Sequence, residues 1–82
     1  MSTSFQVNVY PNPASDYLVI KSAENEMLDL RLSNMMGKAM QVKARQTIQG
    51  ALIDVSKLPK GNYYLEIMSG SGKEVRQVMI GR

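Results

Sequence analysis

Apolar residues along this chain recur at every second position, and short clusters of Gly, Pro, Asn and Ser interrupt them. That alternation is the signature of short half-buried strands, not of helices with their period of about 3.6 residues. Phe5, Val7 and Val9 alternate with Gln6, Asn8 and Tyr10 until Pro11-Asn12-Pro13, where two prolines remove backbone donors and impose extended or turn geometry. A second strand is predicted from Tyr17 to Lys21. A third runs from Met27 to Ser33, with Leu28, Leu30 and Leu32 on one face and Asp29, Arg31 and Ser33 on the other. Asn34-Met35-Met36-Gly37-Lys38 reads as a hairpin connection, Gly37 supplying the positive φ of a tight turn or bulge. Met40, Val42 and Ala44 continue the returning strand. Gln46 to Gly50 is polar enough for a loop, after which Leu52, Ile53 and Val55 form a fifth strand around Asp54.

Leu58-Pro59-Lys60-Gly61-Asn62-Tyr63 places an apolar anchor, a Pro/Gly turn and a strand-opening Tyr in succession. That order fits the tyrosine corner of immunoglobulin-like sandwiches, in which the phenol bonds back to upstream backbone. Leu58, Pro59, Gly61 and Tyr63 are therefore the structural corner. Tyr63, Leu65 and Ile67 share one face of the next strand and Tyr64, Glu66 and Met68 the other. Gly70-Ser71-Gly72-Lys73 makes a second hairpin, and Glu74 to Ile80 ends the pattern. Ala23 to Leu28 has helix-tolerant composition but is too short for a stable helix. The expected fold is all-β, an immunoglobulin-like two-sheet antiparallel sandwich of about seven short strands.

A chain of 82 residues holds one domain with a modest core. The absence of Cys leaves packing and sheet pairing to stabilise it. The net charge of +3 is uneven: residues 1–37 carry two bases against four acids, residues 38–82 eight against three. Such asymmetry marks an anion-facing surface in some proteins, but here the bases alternate with apolar residues and read as a solvated strand face. One Phe, four Tyr and no basic-aromatic or zinc-ligand motif argue against nucleic-acid recognition. No run approaches the roughly 18 apolar residues of a membrane span, so membrane insertion is not expected. Met1-Ser2-Thr3-Ser4 lacks the charged and apolar regions of a signal peptide. Residues 1–6 are assigned to a linker or an artificial start, and 7–82 to the domain.

With neither His nor Cys, the common base, the thiol nucleophile and the best metal ligands are missing, and no enzyme activity is expected. Ser69, Ser71 and Lys73 sit in a Gly-rich turn where nothing would desolvate the lysine. Gly37-Lys38 and Gly72-Lys73 lack the upstream Gly and downstream Ser or Thr of a phosphate-binding loop. Asn12 and Asp16 lack the clustered carboxylates of a calcium cage and read as turn stabilisers. No cofactor is implied. The seven Met residues mostly fall at core-filling positions, with Met35 and Met36 at an exposed hairpin tip.

Val9-Tyr10-Pro11-Asn12-Pro13-Ala14-Ser15-Asp16-Tyr17-Leu18 resembles the opening motif of the type A C-terminal sorting domain of the type IX secretion system of Bacteroidetes. Leu30 to Lys38 is similar to that family's central hairpin, and Ile53 to Tyr64 to its third motif. The blocks occur in the family's order from Val7 to Ile80. The resemblance implies a non-catalytic module at the C-terminal end of an exported cargo protein. It would be handled by the translocon, an outer-membrane shuttle protein and a surface sortase, which cuts before the first strand and joins the cargo to an anionic lipopolysaccharide. It further implies passage through the periplasm to the cell surface or the extracellular space. Family members commonly end in a short basic tail, whereas only Gly81 and Arg82 follow Ile80 here.

A signal shared by unrelated cargos needs a rigid surface of sandwich edges and end loops. The residues expected to form or support it are Pro11, Asn12, Pro13 and Asp16, then Gly37 and Lys38, then Gly61, and Arg76, Val78, Ile80 and Arg82 of the last strand. Pairing of sheet edges into a homodimer stays open. The rival reading is a carbohydrate- or surface-binding sandwich using Tyr10, Tyr17 and Tyr64, for which one Phe and no Trp make a weak platform. A purely structural spacer is a third.

Overall fold

The computed structural model describes residues 7–22, 27–70 and 72–81, and none of these is helical. Seven strands follow one another: β1 (Val7–Tyr10), β2 (Tyr17–Ser22), β3 (Asp29–Asn34), β4 (Lys43–Thr47), β5 (Gly50–Asp54), β6 (Gly61–Ser69) and β7 (Gly72–Ile80). Phe5, residues 23–26, Ser71 and Arg82 lie outside the described residues. All the strand pairs are antiparallel, in a four-stranded sheet of order β1-β2-β5-β4 and a three-stranded sheet of order β3-β6-β7. Those orders are the ABED and CFG sheets of a constant-type immunoglobulin sandwich.

The period-two pattern works because each sheet buries only one face. Leu18 and Ile20 of β2 and Ala51 and Ile53 of β5 meet Leu32, Tyr63, Leu65, Ile67, Val78 and Ile80 from the other sheet. These side chains are essentially withdrawn from water. Each buried Leu or Ile contributes about 1.5–3 kcal/mol of transfer free energy, which is what a domain without Cys depends on.

The middle of the chain departs from the sequence reading. A returning strand through Met40, Val42 and Ala44 was expected beside β3. Instead the return lasts for one bridge, Ser33 with Ala39, and one bond from the Met40 N–H to the Leu32 carbonyl at 2.7 Å. The chain then crosses to the other sheet, and β4 forms against β5 in the register Lys43 with Asp54 through Thr47 with Gly50. The polar Gln46 to Gly50 segment is therefore no loop: it ends β4, turns at Ile48 and Gln49, and opens β5. All five β4 residues are exposed, so the strand has no apolar face to reveal it in the sequence.

Gly50 is the residue that makes this hairpin fit the sheet. Its φ is +152°, and a Cβ there would lie 1.9 Å from the Ile20 carbonyl oxygen on β2. Only glycine lets the backbones approach so closely.

Both open sides of the sandwich are stapled by side chains. On one, the Gln46 amide donates to the Leu28 carbonyl at 2.8 Å and accepts from the Leu28 N–H at 3.2 Å, imitating a strand bridge between the sheets. On the other, Arg76 donates to the Val7 carbonyl at 3.2 Å while paired with Glu74 at 2.6 Å.

Candidate functional site

The three motif blocks converge on one end of the sandwich, because the registers leave no alternative. In the four-stranded sheet, Tyr17 pairs with Asp54 and Asp54 with Lys43, so the β1–β2 turn, the start of β4 and the end of β5 are neighbours. In the other sheet Asn34 pairs with Tyr63 and Gly61 with Ile80, gathering the end of β3, the start of β6 and the end of β7. Residues 55–60 join Asp54 directly to Gly61, so both groups occupy the same end. Val7 pairs with Ser22, at the opposite end.

Pro11-Asn12-Pro13 is the switch between sheets. Its Tyr10–Pro11 and Asn12–Pro13 peptide bonds are both cis. Before it, β1 pairs with β2; after it, Ala14 forms a parallel bridge with Ile80. The Ala14 N–H donates to the Met79 carbonyl and the Gly81 N–H to the Ala14 carbonyl, each at 2.8 Å. Asn12 completes the clamp, its Oδ1 accepting the Met79 N–H at 2.9 Å. Ala14 is fully buried, so a larger side chain has no room there. Asn12, Pro13, Asn62, Gln77, Val78 and Met79 line a shallow recess of about 320 Å³ beside this clamp. The Asp16 carbonyl accepts the Val55 N–H at 2.8 Å, tying the first block to the third.

The third block is a tyrosine corner, as its sequence predicts: the Tyr63 hydroxyl donates to the Pro59 carbonyl at 2.5 Å. Leu58 is buried beneath it. Asp54 accepts from both the Ser56 N–H (2.9 Å) and the Ser56 hydroxyl (2.6 Å). Those two bonds, helped by the charges of Lys43 and Lys57, hold its carboxyl below the usual carboxylate range.

In the central hairpin, Gly37 takes φ +86°. The residue that builds the turn is Asn34, which the sequence reading placed in the hairpin without a role: its Oδ1 accepts from both the Met36 and Lys38 N–H groups at 2.9 Å. An Asn opening a Gly-containing turn was the available signal. The rigid tip presents Met36, which is 90% exposed, beside the exposed Lys38.

Pro11, Asn12, Pro13, Asp16, Gly37, Lys38, Gly61 and Ile80 thus gather at one end, while Arg76 lies along β7 and staples that strand to β1. Val78 and Ile80 are each 1% exposed, so they hold the last strand in place and present nothing to a partner. The three tyrosines of the carbohydrate-binding reading form no common platform: Tyr10 and Tyr17 project from the outer face of the four-stranded sheet, Tyr64 from that of the other.

The chain is similar along almost its whole length to a known family and to one domain-sized part of a known protein. The family described as secretion system C-terminal sorting domain matches residues 8–81. Beta-agarase D of Zobellia galactanivorans is 36% identical over 75 residues, a match that covers 92% of this chain and 15% of that protein.

Proposed function

The chain belongs to the secretion system C-terminal sorting domain family of the type IX pathway, and from that premise we propose that the motif-bearing end of the sandwich is the surface the export machinery reads. A domain of this family is a sorting signal attached to a secreted cargo, not a catalytic unit, and its destination is the cell surface or the extracellular space. The chain spans only 15% of Beta-agarase D, and that enzyme's activity is not carried over.

The carrying observation is polarity. Val7, the first described residue, sits at one end, and the three motif blocks sit at the other; in this reading residues 1–6 are the linker to the cargo. A cargo of any size then hangs away from the signal. In the same reading the domain passes through the periplasm, is bound by the outer-membrane shuttle and translocon, and loses its cargo to a sortase cutting the linker before β1.

The test fuses residues 1–82 behind a signal peptide and a reporter in a secreting Bacteroidetes host and in a translocon-deficient strain. Surface or extracellular reporter in the first host only is expected; retention in both overturns the reading. Deleting residues 76–82 cannot locate the signal, because it removes Val78 and Ile80 from the core. The locating variant is Met36→Ser with Lys38→Glu, which alters exposed atoms alone and should lower export without changing thermal stability.

A further inference from the structure

We infer that the free edge of β4 is a docking site for an extended peptide in which acidic and aliphatic residues alternate. On the side away from β5 no described strand pairs with β4, so among the described residues every second position from Lys43 to Thr47 offers an N–H and C=O without a strand partner. Two further features specify its side chains. On the outer face β4 carries Lys43 and Arg45, and Lys57 stands with Lys43 around a cleft of about 250 Å³ also lined by Gln41, Val42, Asp54 and Leu58, the Asp54 carboxylate there being hydrogen-bonded by Ser56. Neither lysine nor Arg45 makes an ion pair among the described residues; the pairs present, Lys73 with Glu66 and Arg76 with Glu74, lie on the other sheet. On the inner face Ala44 borders a groove of about 310 Å³ between the two sheets, with walls that include Leu30, Met40 and Val42.

A strand added to this edge continues the pleat, so its residues alternate between the two faces. Those on the outer side meet Lys43 and Arg45 and select carboxylates; those on the inner side cover Ala44 and Leu30 and select aliphatic groups. The same bases reject a second copy of this chain. Antiparallel pairing of β4 with itself about Ala44 sets Lys43 opposite Arg45, and pairing about Arg45 sets that residue opposite its own symmetry copy. The dock borders the motif-bearing end, since Asp54, Lys57 and Leu58 belong to the third block, but the inference is measured on the chain alone, so its failure leaves the export reading standing.

The probe is a capped heptapeptide of alternating Glu and Val, titrated into the isotope-labelled 82-residue chain and followed by amide NMR. Expected are shifts confined to residues 40–47 and 54–58 and slowed hydrogen exchange at alternate β4 amides. The double variant Lys43→Glu/Arg45→Glu should weaken binding by about tenfold, while Lys21→Glu, two strands away on the same face, changes it less than about twofold. A peptide N-methylated at alternate residues should fail in one of its two registers. The inference is overturned by any of four results: no binding at millimolar peptide, equal binding of a block peptide with the same composition, equal binding of dextran sulfate at the same residues, or a β4-mediated dimer in sedimentation.

Discussion

The Asn12 side chain accepts the Met79 N–H at 2.9 Å, joining residues 67 positions apart. Through this bond and the Ala14–Ile80 bridge, the Pro-Asn-Pro motif of the first turn and the last strand of the domain form one structure. A motif that looks like local turn chemistry is a long-range fastener. The first motif block and the end of β7 therefore form a single surface whose shape depends on both.

Replacing Asn12 by Ala leaves the Met79 N–H without its protein acceptor. The expected cost is about 1 kcal/mol, a fall in Tm of roughly 4–8 °C for a domain of this size. Asn12→Asp retains an acceptor and should recover most of that loss. Thermal unfolding of the two variants side by side checks it, and equal losses would show that the amide acts through something other than its oxygen.

Tyr63→Phe removes only the hydroxyl that bonds to the Pro59 carbonyl and keeps the buried ring. Stability should fall by about 0.5–1.5 kcal/mol, read as a lower urea midpoint with an unchanged m-value. Leu65→Ala, in the centre of the core, should cost about 2–5 kcal/mol by the same measurement. A Tyr63→Phe loss as large as that of Leu65→Ala would mean the corner governs the whole β5–β6 connection.

The parts of the fold legible in the sequence are those where one face is buried. Leu18 and Ile20, Leu30 and Leu32, Leu65 and Ile67, and Val78 and Ile80 each mark their strand by alternation, and the tyrosine corner is marked by spacing. β4 was illegible because Lys43, Ala44, Arg45, Gln46 and Thr47 bury nothing; tertiary pairing with β5 and the Gln46 amide on Leu28 specify it. The convergence of the candidate site was legible only in part. Family-like blocks could be read along the chain, but that Pro13 lies beside Gly81 and that Arg76 reaches Val7 are consequences of topology.

Two glycines that both take positive φ should respond differently to substitution. At Gly37 an added Cβ meets nothing within 4 Å, so Gly37→Ala carries only the strain of φ +86°, about 1–2 kcal/mol. At Gly50 the Cβ would collide with the Ile20 carbonyl at 1.9 Å, which forces β2 and β5 apart. Gly50→Ala should give a chain without a cooperative unfolding transition, whereas Gly37→Ala folds with a lowered Tm. Circular dichroism melts of the pair decide the point.

Asp54 makes stability depend on pH on the acid side. The two bonds from Ser56, with smaller help from Lys43 and Lys57, lower its carboxyl in the folded chain relative to the unfolded one, whose value is about 3.9. A lowered folded value means that the unfolded chain binds the proton first as pH falls, so acid favours unfolding. The contribution is complete above the unfolded value and disappears as pH drops through the folded one. Subtracting the urea stability of Asp54→Asn from that of the parent should therefore give a positive difference at pH 6 that shrinks below about pH 4. Ser56→Ala deletes the hydroxyl donor but keeps the backbone bond, so it should shrink the pH-dependent part without abolishing it. A parent-minus-variant difference that stays constant from neutral pH to pH 2 would place the effect of Asp54 in packing and not in its charge.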